Sequence, residues 1–371
     1  IEAIKFIYQI GSAFKKIEGP YSPSVLRKQL ADFVEVDVRL GQINYESEHI
    51  QHILQHARAI FDNIFRDYDF FEDRNACPHP GPGATNTPVE KNMRYEPHVL
   101  YKQHDDVLDY AEWFYNSPWH VVEESRKYLQ LRKHIEDAPT ARYHQVPKKV
   151  DVARGICIEE NESQFLQQAV KESLYNWLEH HPLTKGRINF VSQEVNRDLA
   201  LRSSRSRRHG TLDESEASDR VARRLVWEVS SNQTDLREVL MALATKYVVI
   251  PPELGDHGTI KLNKFAPMGS GLCFPVMSVL HFCLVQAIIL ESSIQNRYNL
   301  SREVYVYGDD LIIPTQCVEA VYDWLPQFGM KLNTEKSYYK GYFRESCGIH
   351  AYKGVDITPV YFKCIPNSSR A

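Results

Sequence analysis

No CxxC spacing occurs among the seven cysteines, Cys77, Cys157, Cys273, Cys283, Cys317, Cys347 and Cys364. Their odd number and scatter exclude a disulfide framework and a zinc knuckle, and they fit a reducing cytoplasm. A strong net charge of one sign is also missing: 44 Lys+Arg against 48 Asp+Glu leave -4. The chain therefore lacks the global basic signature of a small nucleic-acid-binding module, and any such site has to be basic locally. There is no internal repeat, no low-complexity tract, and no basic leader or cleavage signature of a targeting peptide. The opening IEAIKFIYQIGSAFKK has no initiator Met and reads as a fragment of a longer chain. Only one long uncharged run is present, Leu272 to Leu290. It is just long enough to cross a bilayer, but Pro275, His281 and Gln286 interrupt it and no Lys/Arg cluster flanks it, so it reads as a buried core helix.

What is there suffices for a folded protein. With 371 residues and 43% hydrophobic content, the chain can bury one large core or two to three subdomains. Ile50, Ile53, Leu54, Ala57, Ile60, Phe61 and Ile64 recur at helical spacing, marking one face of a long helix. His49, His52 and His56 flank that stripe without an Asp or Cys partner, and a solvated face suits them better than a metal site. The turn-rich stretch 77–87 (CPHPGPGATNT) cannot continue a helix. Helical patterning over 101–134 gives way to a basic extended segment at 145–160, then to an amphipathic helix over 163–179. From His209 the pattern predicts a strand into Asp213, helices over 217–227, 236–247 and 274–291, and a hairpin over 307–313.

The chemistry concentrates in this last part. In EVYVYGDDLII, two β-rich runs flank Gly308, Asp309 and Asp310, and adjacent carboxylates at a hydrophobic hairpin tip call for a neutralising cation. A plain Gly-Asp turn is the alternative. Asp213 ends a strand-like run, where its carboxylate can face the hairpin tip; alternatively it caps the next helix. Three converging carboxylates suit Mg²⁺, and two such ions would serve a phosphoryl displacement. The glycine-bounded loop KFAPMGSG opens the apolar helix, so free N–H groups of Gly269, Ser270 and Gly271 could face a phosphate or a template backbone. Basic residues gather at Lys148, Lys149 and Arg154, and at Arg202, Arg205, Arg207 and Arg208, either as a cationic channel or, especially for the arginines, as a solvated charge run.

In this order, the basic segment, acidic strand end, glycine loop and GDD hairpin resemble motifs F, A, B and C of viral RNA-dependent RNA polymerases. They are most similar to the replicases of single-stranded RNA bacteriophages, the levivirus group. The string 333–363, with Lys336, FRESCG and DITPVY, resembles that group's motifs D and E. INFVSQEVNRDLA, VPK with ICIE, and HPGPGA extend the resemblance over about 77–363. It implies that Asp213 and Asp309 ligate two Mg²⁺ ions, replaceable by Mn²⁺, with help from Asp310. Lys148, Lys149 and Arg154 would meet the incoming triphosphate, Ser218 and Asp219 the ribose, and Gly269, Ser270 and Gly271 the template and nucleotide. Lys336 would donate a proton to pyrophosphate. Glu214, Glu216, Ser270 and Pro275 depart from the family's usual residues.

The expected fold is α+β, a right-handed polymerase with helical fingers, a palm of antiparallel sheet flanked by helices, and a largely missing thumb. Its regions would be 1–140 (helical fingers or scaffold), 141–208 (basic fingers segment and helices), 209–341 (catalytic palm) and 342–371 (a hairpin and the start of the thumb). The expected activity is RNA-directed RNA polymerase. The partners implied are template and product RNA, ribonucleoside triphosphates, elongation factors Tu and Ts and a ribosomal protein, with no membrane, in the cytoplasm of an infected bacterium. A reverse transcriptase and a non-catalytic RNA-binding fragment are the rival readings.

Overall fold

Side-chain alternation and two sharp turns set the sheet on which the acidic residues lie. A computed structural model describes the chain except for residues 17–21, 116, 150–151, 256 and 363–371. Strands Tyr305–Tyr307 and Asp310–Pro314 form an antiparallel hairpin, closed by Gly308 at φ +64° and Asp309. So tight a turn needs positive φ, which glycine adopts without steric cost. His209–Leu212 pairs on the other side of Asp310–Pro314, from His209 opposite Pro314 to Leu212 opposite Leu311. All four residues of His209–Leu212 are buried, so helices cover this sheet.

Helix Cys273–Glu291 is one of them. It is apolar on every side and buried from Pro275 to Ile289, as expected for a helix at the centre of a core. It runs beside helix Glu48–Phe65, whose buried face is Ile50, Ile53, Leu54, Ala57, Phe61, Ile64 and Phe65. The apolar run is therefore a core helix here. Pro275 falls in the first turn, where an N–H would have no intrahelical partner, so the ring costs no hydrogen bond. Gln286 Nε2 donates to the Phe282 carbonyl at 3.4 Å. Helix Glu194–Ser206 packs against His209–Leu212 and against the hairpin Phe343–Ser346/Ile349–Tyr352.

A second sheet orders its strands Val152–Ile158, Thr140–Lys149, Tyr247–Val249 and Thr259–Lys261. The first two make the antiparallel hairpin expected as an extended segment, and the middle pair is parallel. Helix Asn161–His180 follows. The 77–87 loop carries no helix or strand. It is pinned because Asn86 Nδ2 and the Thr87 hydroxyl both donate to the Glu160 carboxylate.

Several expected helices are shorter. The stretch 101–134 breaks into Lys102–Asp105, Tyr110–Trp113, Pro118–Glu123 and Ser125–Leu131, because Asp109 and Ser117 each cap a new start. The 217–227 helix splits into Ala217–Arg220 and Arg223–Val229 at Val221, whose ψ of 104° is extended. The 236–247 helix ends at Ala242, and Tyr247 opens a strand, where Tyr-Val-Val suits a sheet better than a helix. His52 and His56 are half-exposed, 3.7 and 3.3 Å from Glu291, a solvated face as expected.

One contact joins the two sheets' surroundings tightly. Gly269 has φ +120°, and a Cβ there would stand 1.9 Å from the Cys157 carbonyl oxygen. The Cys157 N–H also donates to the Met268 carbonyl at 2.7 Å. Gly269→Ala is therefore expected to lower stability by more than about 4 kcal/mol in urea unfolding. Gly11→Ala, in a helix with open space around it, is expected to raise it by about 0.5–1 kcal/mol.

Candidate active site

The sheet register brings the three aspartates to one edge. The ladder ends at Leu212 opposite Leu311, so Asp213 and Asp310 are the next residues on the two strands, near enough that the charges of Asp213 and Asp309 both push the Asp310 carboxyl up. Asp309 lies in the adjoining turn. Asp213 does not cap the next helix, whose N-cap position is held by Glu216. Its carboxylate instead accepts from Asn333 Nδ2 at 3.0 Å and lies 3.3 Å from Lys336 Nζ. The Asp213 backbone is fixed as well: its N–H donates to Ser337 Oγ at 3.2 Å and its carbonyl accepts from the Asn333 N–H at 2.8 Å.

Asp310 is held from the FRESCG hairpin. The Cys347 N–H donates to its Oδ2 at 3.1 Å. Cys347 and Gly348 form that hairpin's turn with φ of 47° and 79°, which points a backbone donor at the carboxylate.

These groups are short of positive charge. Burial pushes the Asp213 carboxyl up, Lys336 pulls it down, and Asp309 pushes it up again. Burial and then Asp309 raise Asp310 to about 7, against the Cys347 N–H. For Lys336, burial works against the charged form, but Asp213 prevails and its ammonium is held above the ordinary lysine range. Among the described residues, no group of three or more His, Cys, Asp or Glu side chains is arranged to hold a metal ion, the three aspartates included. An open set of carboxylates suits a cation that fills its shell with water and phosphate oxygens.

The other expected site residues are placed less simply. Lys148 and Arg154 are exposed on the 140–158 hairpin. Arg154 faces Val146 across the strands, and Lys148 sits at a register shift, an irregularity that re-aims side chains. The Lys149 side chain lies outside the described residues. Ser218 is buried, and Asp219 lies 3.3 Å from the ammonium of fully buried Lys264. Burial raises the Asp219 carboxyl, with Lys264 opposing.

The free N–H groups expected around Gly269–Gly271 are in part otherwise engaged. Gly271 N–H donates to Gln167 Oε1 at 3.0 Å, and Ser270 N–H to the Pro267 carbonyl at 3.2 Å. The glycines serve close packing instead, since a Cβ on Gly271 would press on Gln167. The arginine cluster lies at the far end of strand His209–Leu212 from Asp213. There Arg202 pairs with Asp198, Arg208 with Glu303, and Arg207 covers the Tyr342 ring, as a solvated charge run does.

Sequence reasoning did not single out Asn333, Ser337 or Cys347. Asn333 is three residues before Lys336, but nothing local marks a loop amide as facing Asp213. It also passed over the link between Glu214 and His281, although His281 was visible as a polar break in an apolar helix.

Together these features define an α+β protein with an acidic, cation-poor centre on the edge of an antiparallel sheet. The chain belongs to the RNA replicase beta-chain family, whose model matches residues 51–368. It is 32% identical to the RNA-directed RNA polymerase beta chain of Escherichia phage MS2 over 218 residues, 59% of this chain and 37% of that protein. It is 31% identical to the RNA-directed RNA polymerase subunit beta of Escherichia virus Qbeta over 224 residues, 59% and 34%. With the corresponding subunit of Enterobacteria phage SP it shares 28% over 264 residues, 68% and 43%. The matched stretch thus spans less than half the length of each relative.

The raised Asp310 carboxyl has a consequence for stability. The folded state holds this proton more tightly than the unfolded chain, so stability is lost as pH rises from about 3.8 through about 7. Without divalent cation, Asp310→Asn is expected to be more stable than the parent. That advantage should grow across this window to about 4 kcal/mol and stay level above it. Thermal unfolding at stepped pH measures it, and an advantage independent of pH would count against a shifted Asp310.

Proposed function

We propose that this chain is the polymerase core of an RNA-directed RNA polymerase that replicates a viral positive-strand genome by nucleotidyl transfer from ribonucleoside triphosphates. The observation that carries this reading is the convergence of Asp213, which follows the Leu212–Leu311 pair, with Asp309 and Asp310, whose charges act on one another, in a family whose named members are RNA-directed RNA polymerases. On this reading 1–140 and 141–208 form the fingers, 209–341 the palm, and 342–371 a hairpin and the start of a thumb.

Asp213, Asp309 and Asp310 would hold two Mg²⁺ ions, or Mn²⁺, which supply charge neutralisation for the attacking 3' hydroxyl and the leaving pyrophosphate. The donor set fits hard cations, being carboxylate oxygens with Lys336 as their nearest cation. Asn333 and Ser337 keep Asp213 in place, and the Cys347 N–H does so for Asp310. Lys336 stays charged beside Asp213 and is about half exposed, so it can pass a proton to the pyrophosphate. Lys148, Lys149 and Arg154 would bind the triphosphate. Ser218 and Asp219 would sense the ribose, Asp219 through lone pairs that Lys264 leaves open. Gly269, Ser270 and Gly271 would line the floor under template and nucleotide by shape more than by N–H donation.

Template and product RNA, and elongation factors Tu and Ts with a ribosomal protein, complete the proposed assembly in the bacterial cytoplasm. In the full-length replicase, Asp309→Asn is expected to cut template-dependent RNA synthesis by at least about 1,000-fold, measured by primer extension with Mg²⁺ or Mn²⁺. Undiminished synthesis would remove Asp309 from the metal site. Run in parallel, dNTPs are expected to be incorporated far more slowly than rNTPs, and the reverse preference would favour a reverse transcriptase.

A further inference from the structure

Helix Cys273–Glu291 touches the Gly308 turn with one face. Phe274, Ser278 and His281 recur at four and three residues, so they project from the same side. Each meets a different part of Gly308. The Phe274 ring fills the space where a Cβ would go, with Cε2 at 2.2 Å from that position. Ser278 Oγ accepts from the Gly308 N–H at 3.2 Å. His281 Nδ1 lies 2.9 Å from the Gly308 carbonyl oxygen.

On its other side His281 Nε2 lies 3.2 Å from Glu214 Oε1, and neither side chain has any exposed surface. His281 thus stands between the Gly308 carbonyl oxygen and the Glu214 carboxylate, one at each ring nitrogen. Glu214 directly follows Asp213 in the chain. Its backbone is fixed by a bridge to Leu332, and neither its carboxylate oxygens nor His281 Nε2 make a hydrogen bond, so the two buried side chains are each other's close polar contact at 3.2 Å. The pair thus runs from the strand end that bears Asp213, through the core helix, to the turn that bears Asp309. Nothing else in the described contacts of Glu214 explains a buried carboxylate at this point.

We propose that Glu214 and His281 are positioning residues that fix the distance between Asp213 and Asp309, so that the pair of aspartates stays preorganised for divalent cations before nucleotide arrives. This rests on the polymerase reading and extends it to residues that touch neither nucleotide nor metal. Loosening the carbonyl of Gly308 lets the turn, and Asp309 with it, drift from Asp213, and the cost appears as weaker metal binding.

The test compares His281→Leu, His281→Asn and Glu214→Gln in the full-length replicase. Asn can place its amide N–H where Nδ1 stood and keep the bond to Gly308, whereas Leu cannot. Binding of Mn²⁺ is followed by electron paramagnetic resonance of the free ion, independently of turnover, and the fraction folded by thermal unfolding. His281→Leu is expected to weaken Mn²⁺ binding by about 10-fold and to raise the metal concentration needed for half-maximal synthesis by a similar factor. His281→Asn should recover most of both, and Glu214→Gln, which keeps the shape but not the charge, should fall between.

Parent-like Mn²⁺ affinity in folded His281→Leu would overturn the proposal. So would an Asn variant no better than Leu, or a loss confined to melting temperature. If His281→Leu does not fold, the order of Asn, Gln and parent decides: affinity equal in all three overturns it. Failure of the polymerase reading is distinguishable, because then the parent itself shows no metal-dependent synthesis.

Discussion

Carboxylates on neighbouring strands repel, and here the strand register gives them no means of moving apart. Once Leu212 is paired with Leu311, Asp213 and Asp310 have to share an edge, and the tight turn at Gly308 adds Asp309. In water such a cluster would cost little. Partly buried, it raises its own proton affinity and makes the surrounding structure supply partners. Much of the local architecture answers that demand: Asn333, Lys336 and Ser337 come from one loop to Asp213, and a backbone N–H comes from the tip of another hairpin to Asp310. Neutralisation is nonetheless incomplete, and the Asp310 carboxyl stays raised.

The core helix has a second function besides filling space. A purely aliphatic helix would bury as much area, yet this one carries Ser278 and His281 toward the turn. Buried polar groups of this kind add little net stability, because desolvation cancels most of their attraction. Their use is to make one arrangement of the turn preferable to its near neighbours. Burial of Lys264 follows the same logic beside Asp219, where the Phe33 ring and the Phe33 carbonyl complete the ammonium's surroundings.

Much of this was legible in the sequence because it is local. Gly308 and the paired aspartates between β-rich runs mark a hairpin, and an apolar run of helical length marks Cys273–Glu291. Asp213 could be named from its strand and its place ahead of the GDD hairpin. What escaped depends on tertiary contact. Asn333 is an ordinary loop residue until the chain folds it against Asp213, and the Cys347 donor belongs to a backbone, which carries no residue-type signal. Helix ends were misplaced where caps at Asp109 and Ser117 and the Tyr-Val-Val strand outweighed the apolar period. The glycine loop was read as an open anion cradle, but Gln167 had already claimed one of its donors.

Gly269 and Gly308 share a further property. At each, the volume a side chain would need is already filled, by the Cys157 carbonyl in one case and the Phe274 ring in the other. Glycine codons absorb errors only in their last base, so other single-base changes at these positions insert atoms into occupied space.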